Sequence, residues 1–255
     1  MKSDRSSNIV GTIDLLDLQF ACESYGLEST PFPFRFTKPV GAVDESLART
    51  VSERFNNGDL TIFREWAASY VFSDIRVECH AQTLTGGNPH LRVLATRAGK
   101  LGFIARQLPD IDAVEVRQVR PTEIGSLMAQ EVPLRTPGKH SKVRISGYTL
   151  PPVSDRDEDS GIQDSVSSAD YLPEISKSAV SALGTIQSHY LPPKDWGVSL
   201  NKTAIVWLKV DGDGDYLVER DFTAAYPATI SALTHRIDRE ISDDIQVIRT
   251  YRGQQ

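Results

Sequence analysis

No apolar run of about 18 residues occurs in the 255-residue sequence, so no transmembrane helix and no membrane insertion are expected. Cysteine is scarce. Two residues, Cys22 and Cys79, argue against a disulfide framework and read as small buried hydrophobes. No basic patch interleaved with aromatics is present, which disfavours nucleic-acid binding. The first residues lack the apolar core of a signal peptide, because Asp14 and Asp17 interrupt it; a cytoplasmic protein is the simplest expectation.

Catalytic signatures are also missing. There is no G-x-S-x-G elbow, no G-x-G-x-x-G after a strand and no P-loop. His80, His90, His140, His189 and His235 show no H-x-x-x-H pairing, and neither cysteine is spaced for zinc. Cys79 and His80 are adjacent, but in a strand they point to opposite faces and cannot act as a pair. Asp243 and Asp244 read as solvated acids near a helix end. No catalytic, cofactor or metal residues are therefore assigned, and no cofactor is expected. An active site assembled from distant residues stays open as the alternative.

Composition is that of an ordinary folded protein, with 40% hydrophobic and 24% charged residues. The net charge of −6 is uneven. Residues 1–150 carry 18 Lys+Arg against 17 Asp+Glu, a balance of +1; residues 151–255 carry 10 against 17, a balance of −7. Six acids and one Arg fall in 151–172, a Ser- and Asp-rich stretch that reads as a solvated linker. An acidic docking segment for a basic partner is the other reading of it.

Periodicity gives the elements. Helices are expected over Ile13–Tyr25, Asp44–Phe55 and Leu60–Tyr70, and Phe32–Phe36 alternates as an edge strand. Ile75–Ala81 alternates cleanly: Ile75, Val77, Cys79 and Ala81 face one way, and Arg76, Glu78, His80 and Gln82 form a polar face opposite. Leu84–His90 is a loop. Leu91–Thr96 and Leu101–Gln107 form a hairpin, Ala113–Val119 adds a strand, and Pro121 opens a helix. A helix over Pro173–Tyr190 follows the linker. Strands are then expected at Trp196–Leu200, Thr203–Val210 and Asp215–Arg220, with a last helix opened by Pro227.

Asp211-Gly-Asp-Gly-Asp215 begins like a calcium loop. Tyr216 then stands where the loop needs glycine, Phe222 where it needs a bidentate glutamate, and both flanks read as strands. The stretch is read as a hairpin turn.

PTEIGSL (121–127) and PATISAL (227–233) share a P-x-x-I-x-x-L helix start after a hairpin. Together with the correspondence of Phe103–Arg106 to Tyr216–Glu219, this reads as an imperfect duplication, the first copy having an extra strand at Ala113–Val119. One domain over 1–255 is expected, with halves at 12–133 and 171–242 joined by the acidic segment 151–170. The fold class is α+β: a quasi-two-fold, mostly antiparallel sheet flanked by helices.

The layout resembles the EspG family, specificity chaperones of actinobacterial type VII (ESX) secretion. Three stretches carry the likeness: Tyr25-Gly26-Leu27 running into Pro31–Phe36, Asp74–Glu78 leading through a loop to Leu91–Arg97, and the duplication closed by Pro227–Ile241. It covers about residues 12–242. The resemblance implies a cytosolic, non-catalytic chaperone that binds the PPE tip of a PE–PPE heterodimer, keeps it soluble and hands it to the ESX apparatus. It would act as a monomer or weak homodimer. The implied binding surface combines the central sheet, its loops and the C-terminal helices. By position this points to Leu84, Thr85, Gly86, Gly87, Asn88 and Pro89 of the loop and to Thr234 and His235 of the last helix. His80 and Gln82 join them from the polar strand face. The alternative is a small-molecule-binding or hydrolytic α+β enzyme.

Overall fold

A computed structural model describes residues 8–27, 30–37, 45–85, 91–109, 111–150, 172–190 and 202–253. Its centre is a nine-stranded sheet in the order β1-β5-β4-β3-β2-β8-β9-β10-β11. The first half contributes β1 (Asn8–Asp14), β2 (Ile75–Thr83), β3 (Leu91–Ala98), β4 (Leu101–Gln107) and β5 (Ala113–Val119). The second contributes β8 (Val180–Tyr190), β9 (Ile205–Val210), β10 (Gly214–Val218) and β11 (Ala225–Pro227). Two short strands outside the sheet, β6 (Arg144–Ile145) and β7 (Glu174–Ile175), pair in parallel. The helices are α1 (Leu15–Glu23), α2 (Glu45–Asn57), α3 (Arg64–Val71), α4 (Ile124–Glu131) and α5 (Ile230–Gly253). The fold is α+β.

All pairings in the large sheet are antiparallel. Strands β2 and β8 meet at its middle, from Ile75 opposite Tyr190 to Thr83 opposite Ala182. A four-stranded meander runs outward from each of them, β2 to β5 on one side and β8 to β11 on the other. A helix follows each meander. The short β11 occupies, beside β10, the place that β5 holds beside β4. The strand at Ala113–Val119 is therefore not an addition peculiar to the first half.

One face of the sheet is covered by α4 and α5. Ile75, Val77, Cys79 and Ala81 pack there with Met128, Leu233, Ile237 and Ile248. Helix α5 is opened by Thr229, whose Oγ1 accepts from the Ala232 N–H at 3.0 Å. On the other face α1–α3 cover the first meander through Leu18, Phe63, Trp66, Leu94 and Phe103. The segment 134–150 covers the second, where Val143 and Ile145 pack on Leu208, Tyr216 and Val218.

Three sequence expectations are corrected. The stretch Pro173–Tyr190 is not a helix. Its apolar residues fit a 3.6-residue period, but Val180–Tyr190 is claimed by the ladder with β2. Phe32–Phe36 pairs with no strand among the described residues, and a turn forms at Phe32 and Pro33. The start of the first expected helix is β1, which pairs with β5, and the helix begins only at Leu15. Trp196–Leu200 and the linker 151–170 lie outside the described residues.

Candidate functional site

Strand β2 ends at Thr83, and the loop to β3 begins at Leu84. The Leu84 N–H donates to the Ser181 carbonyl at 2.8 Å, so pairing with β8 continues past the strand's end. Leu84 is 41% exposed, a large apolar side chain in solvent at the end of the sheet. Thr85 is exposed beside it. Gly86, Gly87, Asn88 and Pro89 lie outside the described residues.

A cavity of 320 Å³ opens next to this loop, at the small end of ligand-sized pockets. Ala81, Ala182 and Trp207 line its apolar part, Gln82 and Thr85 its loop side, and Arg106 and Glu131 a charged wall. Arg106 and Glu131 also line a wider cleft of 1260 Å³ between α4 and the β4–β5 surface. Glu131 stands at the C-terminal end of α4, where the helix dipole disfavours an anion. Two arginines compensate. Arg106 Nη1 donates to Glu131 Oε2 at 3.0 Å, and Arg117 pairs with the other carboxylate oxygen.

The polar face expected on β2 is for the most part not a surface. Arg76 and Glu78 are 1% and 2% exposed, and Arg76 Nε lies 2.7 Å from Glu78 Oε1. His189, opposite Arg76 on β8, brings Nε2 to 3.4 Å from Glu78 Oε2. Burial lowers the Arg76 pKa, and the Glu78 carboxylate opposes that shift. Alternation placed these residues on the correct side of the strand, but α1–α3 close over that side. His80 is half-buried with its ring 6.2 Å from Phe32. Gln82 alone of the four reaches the cavity. Thr234 and His235 sit on α5, half-buried and exposed respectively, and line neither cavity.

The Asp-Gly-Asp stretch forms the β9–β10 turn, with Val210 opposite Gly214 and Gly212 at φ 76°. Its acids bind backbone. Asp215 Oδ2 accepts from the N–H groups of Arg135 and Thr136 at 2.6 and 3.2 Å, and Asp213 Oδ1 accepts from the Lys139 N–H at 2.7 Å. The loop is thereby stapled to the connection that crosses the second half. Among the described residues no group of three His, Cys, Asp or Glu side chains is placed to hold a metal ion. No helix among them is long and apolar enough to cross a membrane.

The EspG family model matches residues 14–239. The chain belongs to the EspG family. Members of this family are secretion chaperones. A solved structure to which this EspG-family chain is similar is the Mycobacterium tuberculosis type VII secretion system chaperone EspG5 in complex with a PE25–PPE41 dimer. Identity is 13%, the match covers 89% of this chain and 94% of that one, and the TM-score is 0.49. No curated protein matches the chain.

The family resemblance led to Leu84 and Thr85 and strand alternation to Gln82, and the fold brings the three to one end of the sheet. Trp207, Arg106 and Glu131 were missed. Trp207 carries a signal in hindsight: a strand tryptophan needs a small residue opposite, and Gly184 supplies it. That pairing is visible only once Val180–Tyr190 is known to be a strand.

Proposed function

We propose that this EspG-family protein is a cytosolic specificity chaperone of a type VII secretion system. It binds the PPE tip of a PE–PPE heterodimer, keeps the pair soluble and delivers it to the ESX apparatus. The family match over residues 14–239 carries this reading. The site fits its physical demand. A helical tip with exposed apolar side chains aggregates unless covered, and its cover needs apolar surface with a polar rim. Leu84 and the apolar cavity floor provide the first; Gln82, Thr85 and the Arg106–Glu131 wall provide the second. The contact region then comprises Gln82 to Pro89, with Thr234 and His235 of α5 outside its centre. On this reading the chain is a single domain with halves at 12–133 and 171–242, which the mirrored strand order supports.

The cavity is the feature that an enzymatic reading would use. Two acids line it: Glu131 is engaged by two arginines, and Asp211 stands at the β9–β10 turn. Its Ser181 hydroxyl donates to the Lys209 carbonyl and not to a base. A non-catalytic role accounts better for that arrangement. Co-expression with PE–PPE pairs from the same secretion locus tests the proposal: a ternary complex is expected to co-purify. Failure with every cognate pair would sink it.

A further inference from the structure

The cavity beside the β2–β3 loop and the cleft along α4 share Arg106, Glu131 and Pro133, so the two adjoin as one trough. Ala81 and Ala182 give it apolar floor at the loop end, and Val119, Leu127 and Leu134 do so along α4. Among its described lining residues six are cations and four are acids, on a chain whose net charge is −6. Three of the acids are met inside the trough. Glu131 pairs with Arg106 and Arg117, Glu115 lies 3.8 Å from Arg117, and Glu123 lies 3.6 Å from Arg120. Lys100, Arg135 and Lys209 make no ion pair among the described residues, and Asp211 is the one lining acid without one. Lys100 and Arg135 are exposed and Lys209 is half-buried. The Arg135 N–H donates to Asp215 Oδ2 at 2.6 Å, so the backbone that carries this charge is fixed at the cavity.

Resting on the chaperone reading above, we propose that this trough takes an acidic amphipathic helical segment of the PE–PPE pair. Its apolar stripe covers the floor, and its Asp or Glu side chains meet Arg135, Lys209 and Lys100. These are the cations that an incoming carboxylate can pair without breaking an ion pair already present. A basic segment would face the same three charges with only Asp211 to receive it, and like charges brought together across an interface are costly. A local excess of positive charge on an acidic chain also speeds the encounter with an acidic partner, an effect that salt screens.

The test measures binding of the full chain to the PE–PPE pair that co-purifies with it, at about 50 and about 500 mM NaCl. Affinity is expected to fall roughly tenfold between the two. Arg135→Glu and Lys100→Glu, both at exposed positions, keep the melting temperature of the parent. Each weakens binding about tenfold in low salt and far less in high salt. Asp211→Lys changes the charge in the other direction and tightens binding, which a merely structural role for these positions would not produce. Reversal of one Asp or Glu of the partner's helical tip to Lys restores binding to Arg135→Glu. An affinity that is the same at both salt concentrations, with Arg135→Glu and Asp211→Lys binding as the parent does, overturns this proposal and leaves the chaperone reading standing. Salt-dependent self-association of the parent chain, abolished by Arg135→Glu, would place a second copy in the trough and overturn it as well. Absence of any complex with the parent chain overturns both readings.

Discussion

Ser188 and Asp244 join the central sheet to the last helix. The hydroxyl donates to Oδ2 at 2.6 Å, both side chains are buried, and Lys202 pairs with the other carboxylate oxygen. The sequence reads Asp243 and Asp244 as equivalent solvated acids; one helix position separates a half-exposed Asp243 from the buried anchor. Asp244→Ala leaves a lysine and a hydroxyl without their acceptor and is expected to cost about 3 kcal/mol. Asp243→Ala is expected to stay within about 0.5 kcal/mol of the parent. Urea unfolding of both variants checks the contrast, and equal effects would contradict it.

Asp215 holds the connection between the two halves. With its carboxylate removed, the N–H groups of Arg135 and Thr136 lose their acceptor. Asp215→Ala is expected to lower stability by roughly 2 kcal/mol or more. Calcium is expected to leave the melting temperature of the parent unchanged, because these acids already bind backbone donors. A calcium-dependent rise in melting temperature, abolished by Asp215→Ala, would restore the metal reading.

Both thiols make stability depend on alkaline pH. Burial pushes Cys22 and Cys79 up to about 12 from 9.0, with Glu23 and Glu131 adding to the shift. Below pH about 9 each thiol is neutral whether the chain is folded or not, and contributes no pH dependence. Between about 9 and 12 the unfolded chain loses the proton while the folded one keeps it. Stability therefore falls there by about 1.4 kcal/mol per pH unit per thiol. Cys79→Ala should flatten the fall in urea midpoint between about pH 9 and 10.5. In the native state neither thiol should react with a thiol reagent faster than the chain unfolds.

Leu84 offers the test of the contact region. Its exposed side chain adds nothing to the core, so Leu84→Asp should leave the melting temperature within about 2 °C of the parent. Binding of a PE–PPE pair should weaken by roughly tenfold or more, the effect of placing a charge against an apolar tip. His235→Ala, on α5 away from both cavities, should bind as the parent does.

Much of the fold was legible because its signals are local. Leu101–Gln107 and Ala113–Val119 were read with the bounds they have, and Pro121 and Pro227 mark the ends of the two meanders. The Asp-Gly turn was recognised by a glycine that φ 76° requires. The rest depended on partners far along the chain. Val180–Tyr190 fits helix and strand periods alike, and only the ladder with β2 settles it. Asn8–Asp14 is a strand because β5 lies beside it.

The site divides in the same way. The sequence determined the α+β class, the order of hairpins and helices, the loop after Thr83 and the family to which the chain belongs, since these rest on residue type and short spacing. Tertiary structure alone decided that Arg76 and Glu78 are interior, that Asp244 is an anchor, and that Trp207 lies over Gly184 beside the wall made by Arg106 and Glu131. Those outcomes follow from what covers each face and which strand is next, and burial by distant segments leaves no periodic trace in the residues it covers.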